Sequence, residues 1–178
     1  PQTRVLNACK SAHGPGMPNP HIPKPRELYG LQRVNSAGFD LSDEATLSAL
    51  GQALHACTLH TNGLALISHS APQMQREWVD VVNPARLNER IGRVETCDIS
   101  DIDRAMQIAT QAAATWAYTP ASVRAQALEA CADDIERQTL TYMAMLMHEA
   151  GKTARDALAE VREAIDFLRY YAAQARAT

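Results

Sequence analysis

The sequence predicts a mostly helical segment, entered by an extended leader and carrying one short β-hairpin. Three observations carry that expectation. From Ser100 to Ala177 apolar residues recur at helical spacing, punctuated by Ser100, Pro120, Gly151 and Thr153. On either side of Asn83-Pro84, Trp78–Val82 and Ile91–Glu95 instead alternate apolar with polar residues. Residues 1–34 follow neither period and are rich in proline.

Pro15, Pro18, Pro20, Pro23 and Pro25, with Gly14 and Gly16 among them, fix φ and remove backbone donors, which excludes a long helix or a central strand. The leader is expected to be an extended linker, a strap on a neighbouring domain or, if the chain stands alone, a flexible tail, and residues 1–41 are assigned to it. A helix is expected from Ser42 to about His60. Ser42 would cap it, Glu44 makes the first turn acidic, and Leu47, Leu50, Leu54 and then Cys57 or Leu59 form its stripe. Residues 61–78 carry no period and are expected to be irregular. Trp78–Val82 should be a strand ended by Asn83-Pro84, with Ile91–Glu95 as its hairpin partner.

Four helices should follow. Ser100 would cap the first, with Asp101 and Asp103 against the dipole and Ile102, Ala105, Met106, Ala109 and Ala113 as its inward stripe. Pro120 would occupy the first position of the second, with Val123, Ala127, Leu128, Cys131 and Ile135 facing the core. The third spans about Gln138 to Ala150, with Met143, Leu146 and Met147 inward and Gly151 ending it. Thr153 caps the last, whose apolar face is Ala157, Leu158, Val161, Ala164, Ile165, Leu168, Tyr171 and Ala172. The stripes differ in length and capping, so no fixed-period repeat is present.

Composition excludes some function classes. A chain of 178 residues can bury a domain-sized core, and a net charge of −3 gives no electrostatic reason to expect a nucleic-acid site. No run approaches the apolar length of a membrane span. Cys9, Cys57, Cys97 and Cys131 are scattered, without a Cys-x-x-Cys pair, and read as reduced thiols of a cytoplasmic protein. Pro1 in place of an initiator methionine is what a piece of a longer product would show, as would processing or an incomplete sequence.

Few residues form a chemical motif. Gly151-Lys152-Thr153 matches the tail of a phosphate-binding loop, but Leu146 stands where the loop needs glycine and a helix stands where it needs a strand. A helix C-cap followed by an N-cap explains all three residues. His13, His21, His55, His60, His69 and His148 share no metal-ligand spacing, and Glu77 and Glu95 have no recognisable catalytic partner. No metal site is expected. Glu163 stands apart. It lies about half a turn from Val161, on the side that carries Phe167 and Tyr170 beside Asp166. A carboxylate among aromatics on a nominally polar face suggests cover by another part of a larger protein or by a substrate. On geometry alone, solvated Glu163 and Arg162, with the aromatics packed on a neighbouring domain, is the simpler alternative.

Glu149-Ala150-Gly151-Lys152-Thr153 and the later run Ala159-Glu160-Val161-Arg162-Glu163-Ala164-Ile165-Asp166-Phe167-Leu168-Arg169-Tyr170-Tyr171-Ala172 resemble the aldehyde dehydrogenase superfamily, in particular its glutamate-semialdehyde branch. The order Val81-Val82-Asn83-Pro84, Ile91-Gly92-Arg93-Val94 and Ser100-Asp101-Ile102-Asp103 is similar to the opening of those enzymes. Pro25-Arg26-Glu27-Leu28-Tyr29-Gly30 and Asn35-Ser36-Ala37-Gly38-Phe39-Asp40-Leu41 resemble the junction in the bifunctional proline utilization A family, which joins a flavin-dependent proline dehydrogenase barrel to a semialdehyde dehydrogenase.

The resemblance implies an α/β parent of aldehyde dehydrogenase type, of which residues 42–178 are the N-terminal portion. It implies FAD and NAD as the parent's cofactors, none bound by this segment, and proline and glutamate semialdehyde as its substrates. It also implies a membrane quinone as electron acceptor, a homo-oligomer, and a cytoplasmic location at the inner membrane's edge. Glu163 matches a glutamate that lines the aldehyde pocket near the nucleophilic cysteine, with Phe167 beside it. None of the four cysteines here has the nucleophile's sequence context, and the segment is expected to be inactive alone. Another aldehyde dehydrogenase and a stand-alone helical interaction module remain as alternatives.

Overall fold

The computed structural model describes residues 21–57, 61–64 and 77–177. Expectations for Pro15, Pro18, Pro20, Gly14, Gly16, Cys9, His13, Leu59, His60 and His69, and for residues 65–76, lie outside those described.

Helix α5 (Ala154–Ala177) carries most of the core and packs along α3 (Ala121–Arg137). Arg169 pairs with Glu136 and Arg176 with Glu129, so the helices run antiparallel. Thr153 caps α5 as expected. Its Oγ1 accepts from the Asp156 amide at 3.2 Å, and its hydroxyl donates to the Asp156 carboxylate at 2.8 Å. The buried face of α5 is Ala157, Leu158, Val161, Ile165, Arg169 and Ala172. Ala164 and Tyr171, expected inside, are exposed, because the contact with α3 is narrower than the apolar stripe.

Alanines line much of the seam. Ala125 and Ala132 of α3 and Ala172 of α5 are all 0% exposed. Single methyl groups let two backbones approach closely, so α3 turns its alanines inward and leaves Val123 48% exposed. Ala127 and Cys131 are exposed as well, whereas Leu128 and Ile135 are half-buried and Ile135 packs on the core, so the expected face for this helix is only partly the real one. Pro120 takes the N-cap position rather than the first helical one.

Helix α4 (Thr139–Glu149) bridges this pair to the rest of the fold. Met143 is buried and Leu146 and Met147 half-buried, as their spacing predicts. Helix α1 (Glu44–Ala56) packs against α4 through Leu50, and His148 Nε2 lies 3.3 Å from the Leu54 carbonyl oxygen. The cap of α1 is Asp43, which accepts from the Thr46 amide at 2.9 Å, whereas Ser42 donates to Asp40 instead. The helix stops at Ala56, short of His60, and Leu47 stays 46% exposed.

The sheet has order β1-β3-β2, from β1 (Thr61–Gly63), β2 (Trp78–Asn83) and β3 (Arg86–Glu95). The hairpin is where the sequence predicts it, but β3 begins at Arg86 rather than Ile91. Its first half, Arg86–Arg90, has Leu87 as its one apolar residue, and the register slips at Val81/Val82 and at Val82/Asn83, so period-two alternation fails there. Strand β1 pairs parallel with β3 inside a stretch expected to be irregular; Thr-Asn-Gly has too little length and β-propensity to signal a strand unaided.

Helix α2 (Ile99–Tyr118) is capped by Asp98 in a reciprocal box with Asp101, not by Ser100. Its expected inward stripe is uncovered: Ile102 is 60% and Met106 64% exposed, and α2 makes no sizeable contact with another described element. The periodicity marks a face that little among the described residues covers.

Gly151 ends α4 with φ +64°, and a Cβ there would stand 2.9 Å from Pro84 Cγ in the hairpin turn. Both a left-handed backbone and a close approach therefore require glycine. Gly151→Ala is expected to destabilise the fold by about 1–3 kcal/mol, read as a lower midpoint in thermal unfolding.

Candidate functional site on the outer face of helix α5

The structure brings Glu163 and Phe167 to one outward face of α5. Glu163 is exposed and Phe167 51% exposed. Phe167 stacks on Tyr171 with ring centroids 6.1 Å apart, and Tyr170 meets Tyr171 edge-on at 5.2 Å. Tyr171 thus belongs to the aromatic face rather than to the core. The result is a carboxylate beside a preorganised apolar ledge, able to accept hydrogen bonds from a cationic group while the rings contact an aliphatic chain.

Asp166 and Arg162 do something else. Both hold the leader, whose residues 33–38 cross α3 and α5. The Ser36 amide donates to Asp166 at 2.7 Å and its hydroxyl donates to the same carboxylate at 2.8 Å. Arg162 Nε donates to Ser36 Oγ at 3.2 Å, so Arg162 is half-buried rather than solvated. Arg33 lies 3.7 Å from Asp166 and stacks on the Tyr29 ring. One residue on, the Ala37 amide donates to Glu136 at 2.7 Å.

Glu136 is also the hub of the α3–α5 seam. Arg169, with its side chain only 8% exposed, donates to Glu136 and to Asp133, each at 2.8 Å. Burial alone would raise the Glu136 carboxyl. Hydrogen bonds from Arg169 and the Ala37 amide, with the charges of Arg169 and Arg26, outweigh that and hold it below the usual carboxylate range. A carboxyl depressed in the folded state contributes stability that is present above its unfolded value and lost as pH falls through the folded one. Protection of the Ala37 amide, relative to its intrinsic exchange rate, is therefore expected to fall as acid protonates Glu136, and Glu136→Gln to remove that dependence. Amide exchange followed by NMR between acid and neutral pH measures it.

Sequence reasoning missed Arg169, Glu136 and Ser36. One signal was available: Arg169 sits four residues after Ile165 on the apolar stripe, a position where arginine persists only if neutralised. Lys152 pairs with Glu160, and Gly151 and Thr153 are helix caps, so the phosphate-loop fragment is accounted for structurally. Among the described residues no group of three or more His, Cys, Asp or Glu side chains could hold a metal, and no helix is long and apolar enough to cross a membrane.

Residues 70–178 match the aldehyde dehydrogenase family, and the chain belongs to it. Over 176 residues the chain is 44% identical to the bifunctional protein PutA of Klebsiella aerogenes, which covers 99% of this chain and 13% of that protein. Its fold is similar to the crystal structure of proline utilization A from Bdellovibrio bacteriovorus inactivated by N-propargylglycine, with TM-score 0.77 and 30% identity across 93% of this chain and 17% of that one. It is also similar to a 1-pyrroline-5-carboxylate dehydrogenase from Thermus with bound NAD, with TM-score 0.71 and 26% identity over 78% of this chain and 27% of that one. The chain thus spans only a small part of the relatives it matches.

Proposed function

We propose that this chain is the junction and N-terminal helical flank of a bifunctional proline-catabolic oxidoreductase. That parent oxidises proline to pyrroline-5-carboxylate with FAD, passing electrons to a membrane quinone. It then oxidises glutamate semialdehyde to glutamate with NAD. It is a homo-oligomer in the cytoplasm, peripheral to the inner membrane. The observation that carries this is the extent of the similarity to PutA, which includes residues 25–41 as well as the family-matching portion.

In this reading both cofactors are held by other parts of the parent. What this chain contributes to the chemistry is a pocket wall. Glu163 accepts hydrogen bonds from the substrate's ammonium group, and Phe167 excludes water from its aliphatic chain.

The test is the full-length polypeptide. Purified from its own reading frame, it should carry flavin, reduce a quinone analogue with proline, and reduce NAD with glutamate semialdehyde. A polypeptide with the second activity and no flavin domain would make the parent an ordinary semialdehyde dehydrogenase and overturn the bifunctional assignment.

A further inference from the structure

We propose that Ser36 and Ala37 staple α5 to α3, and that Asp166 is thereby a positioning residue for the semialdehyde pocket, acting through the rotational setting of Glu163 and Phe167. This rests on the pocket assignment made above.

The seam between the two helices is unusual in what it leaves undetermined. On α3 the buried positions are the alanines Ala125 and Ala132, whose methyl groups are small knobs, while α5 also buries Val161 and Ile165. Apolar packing therefore holds the helices together, and the polar contacts at the edges refine their rotation. Arg169 and Arg176 pin α5 to α3 directly. On the edge nearer Glu163, the contact is made through the leader. Ser36 saturates Asp166 of α5 with its amide and hydroxyl, and the adjacent Ala37 amide is bound by Glu136 of α3. Two consecutive residues thus bridge the two helices. Ser36 is 2% exposed, and a Cβ at Gly38 would stand 3.4 Å from Arg162, so the leader lies tightly against α5 here.

Asp166 follows Glu163 by three residues and directly precedes Phe167, so it lies about 4.5 Å along the axis from the pocket carboxylate. On a helix about 5–6 Å in radius, a rotation of about 20° moves a side-chain tip by about 2 Å. Displacements of that size are enough to degrade substrate orientation. The leader thus sets where Glu163 stands without touching the substrate.

The experiment uses the full-length parent, with separate assays of proline oxidation and of added glutamate semialdehyde. Asp166→Asn keeps size but offers one carbonyl acceptor to the two Ser36 donors. Ser36→Ala is the gentler variant, and Ser36→Thr restores the hydroxyl. Asp166→Asn and Ser36→Ala should each lower kcat/KM for the semialdehyde about fivefold, mainly through KM, while proline oxidation stays unchanged and Ser36→Thr recovers most of the loss. In the Glu163→Ala background, Asp166→Asn should add little, because it acts through a residue already removed. If Glu163→Ala is impaired while both staple variants have wild-type KM, or if the two losses multiply fully, the positioning role is wrong and the pocket assignment stands. If Glu163→Ala itself is silent, both fall.

Discussion

Glu163→Ala in the full-length enzyme is expected to lower semialdehyde oxidation by about tenfold or more, equivalent to roughly 1.4 kcal/mol of transition-state stabilisation. Glu163 lies on the outward face of α5 beside Phe167, where truncation removes no core contact. Thermal stability should therefore move little, and proline oxidation should be unchanged because that chemistry belongs to a separate flavin domain of the proposed parent. Arg155, exposed in the first turn of the same helix, supplies the control: Arg155→Ala should leave both activities near wild type. Arg162 cannot serve as that control, since it holds Ser36. Wild-type turnover and affinity in Glu163→Ala would make Glu163 a solvated or interdomain carboxylate.

The largest stability effect is expected at Arg169. Its guanidinium is nearly sequestered between Glu136 and Asp133 at the helix seam, so Arg169→Ala leaves Glu136 partly buried without its main counter-charge. Removing one partner of a buried pair costs about 3–5 kcal/mol. The low end applies here, because Asp133 is 65% exposed and regains water. Arg169→Met should recover part of the loss by refilling the seam, but not the charge of Glu136. Denaturant unfolding of the three proteins measures the difference. An Arg169→Ala protein within 1 kcal/mol of wild type, on the roughly ±0.5 kcal/mol scale of surface changes, would mean the seam is held by its apolar packing alone.

Much of the helical order was legible because caps and stripes are local signals. Gly151 and Thr153 delimit α5 as their chemistry predicts. Caps were misassigned where two polar residues stand close together. Asp43 and Asp98 displaced Ser42 and Ser100, since a carboxylate accepts more strongly from the helix amides, and each serine hydroxyl donates to a nearby aspartate instead. Which side of a helix faces inward was less legible. For α3 the alanines, not the larger Val123, set the seam, because closeness of backbones outweighed the area of one side chain. For α2 the stripe was real but has no partner among the described residues. At the candidate site, Glu163 and Phe167 were found by helical period and family likeness. The leader's anchors were invisible, because Ser36 and Asp166 are distant in sequence and neither carries a period.

That distance has a kinetic meaning. The Ser36–Asp166 contact closes a loop of 130 residues, whereas α3, α4 and α5 meet through neighbours in sequence. Closure of a long loop costs chain entropy that only an already formed dock can repay, so the helical trio folds first and the leader lands on it last. The same order in reverse makes the leader the first part to lift off, in a local opening that leaves the helices intact. A domain tethered upstream would thus be held by a clasp that opens far more often than either body unfolds.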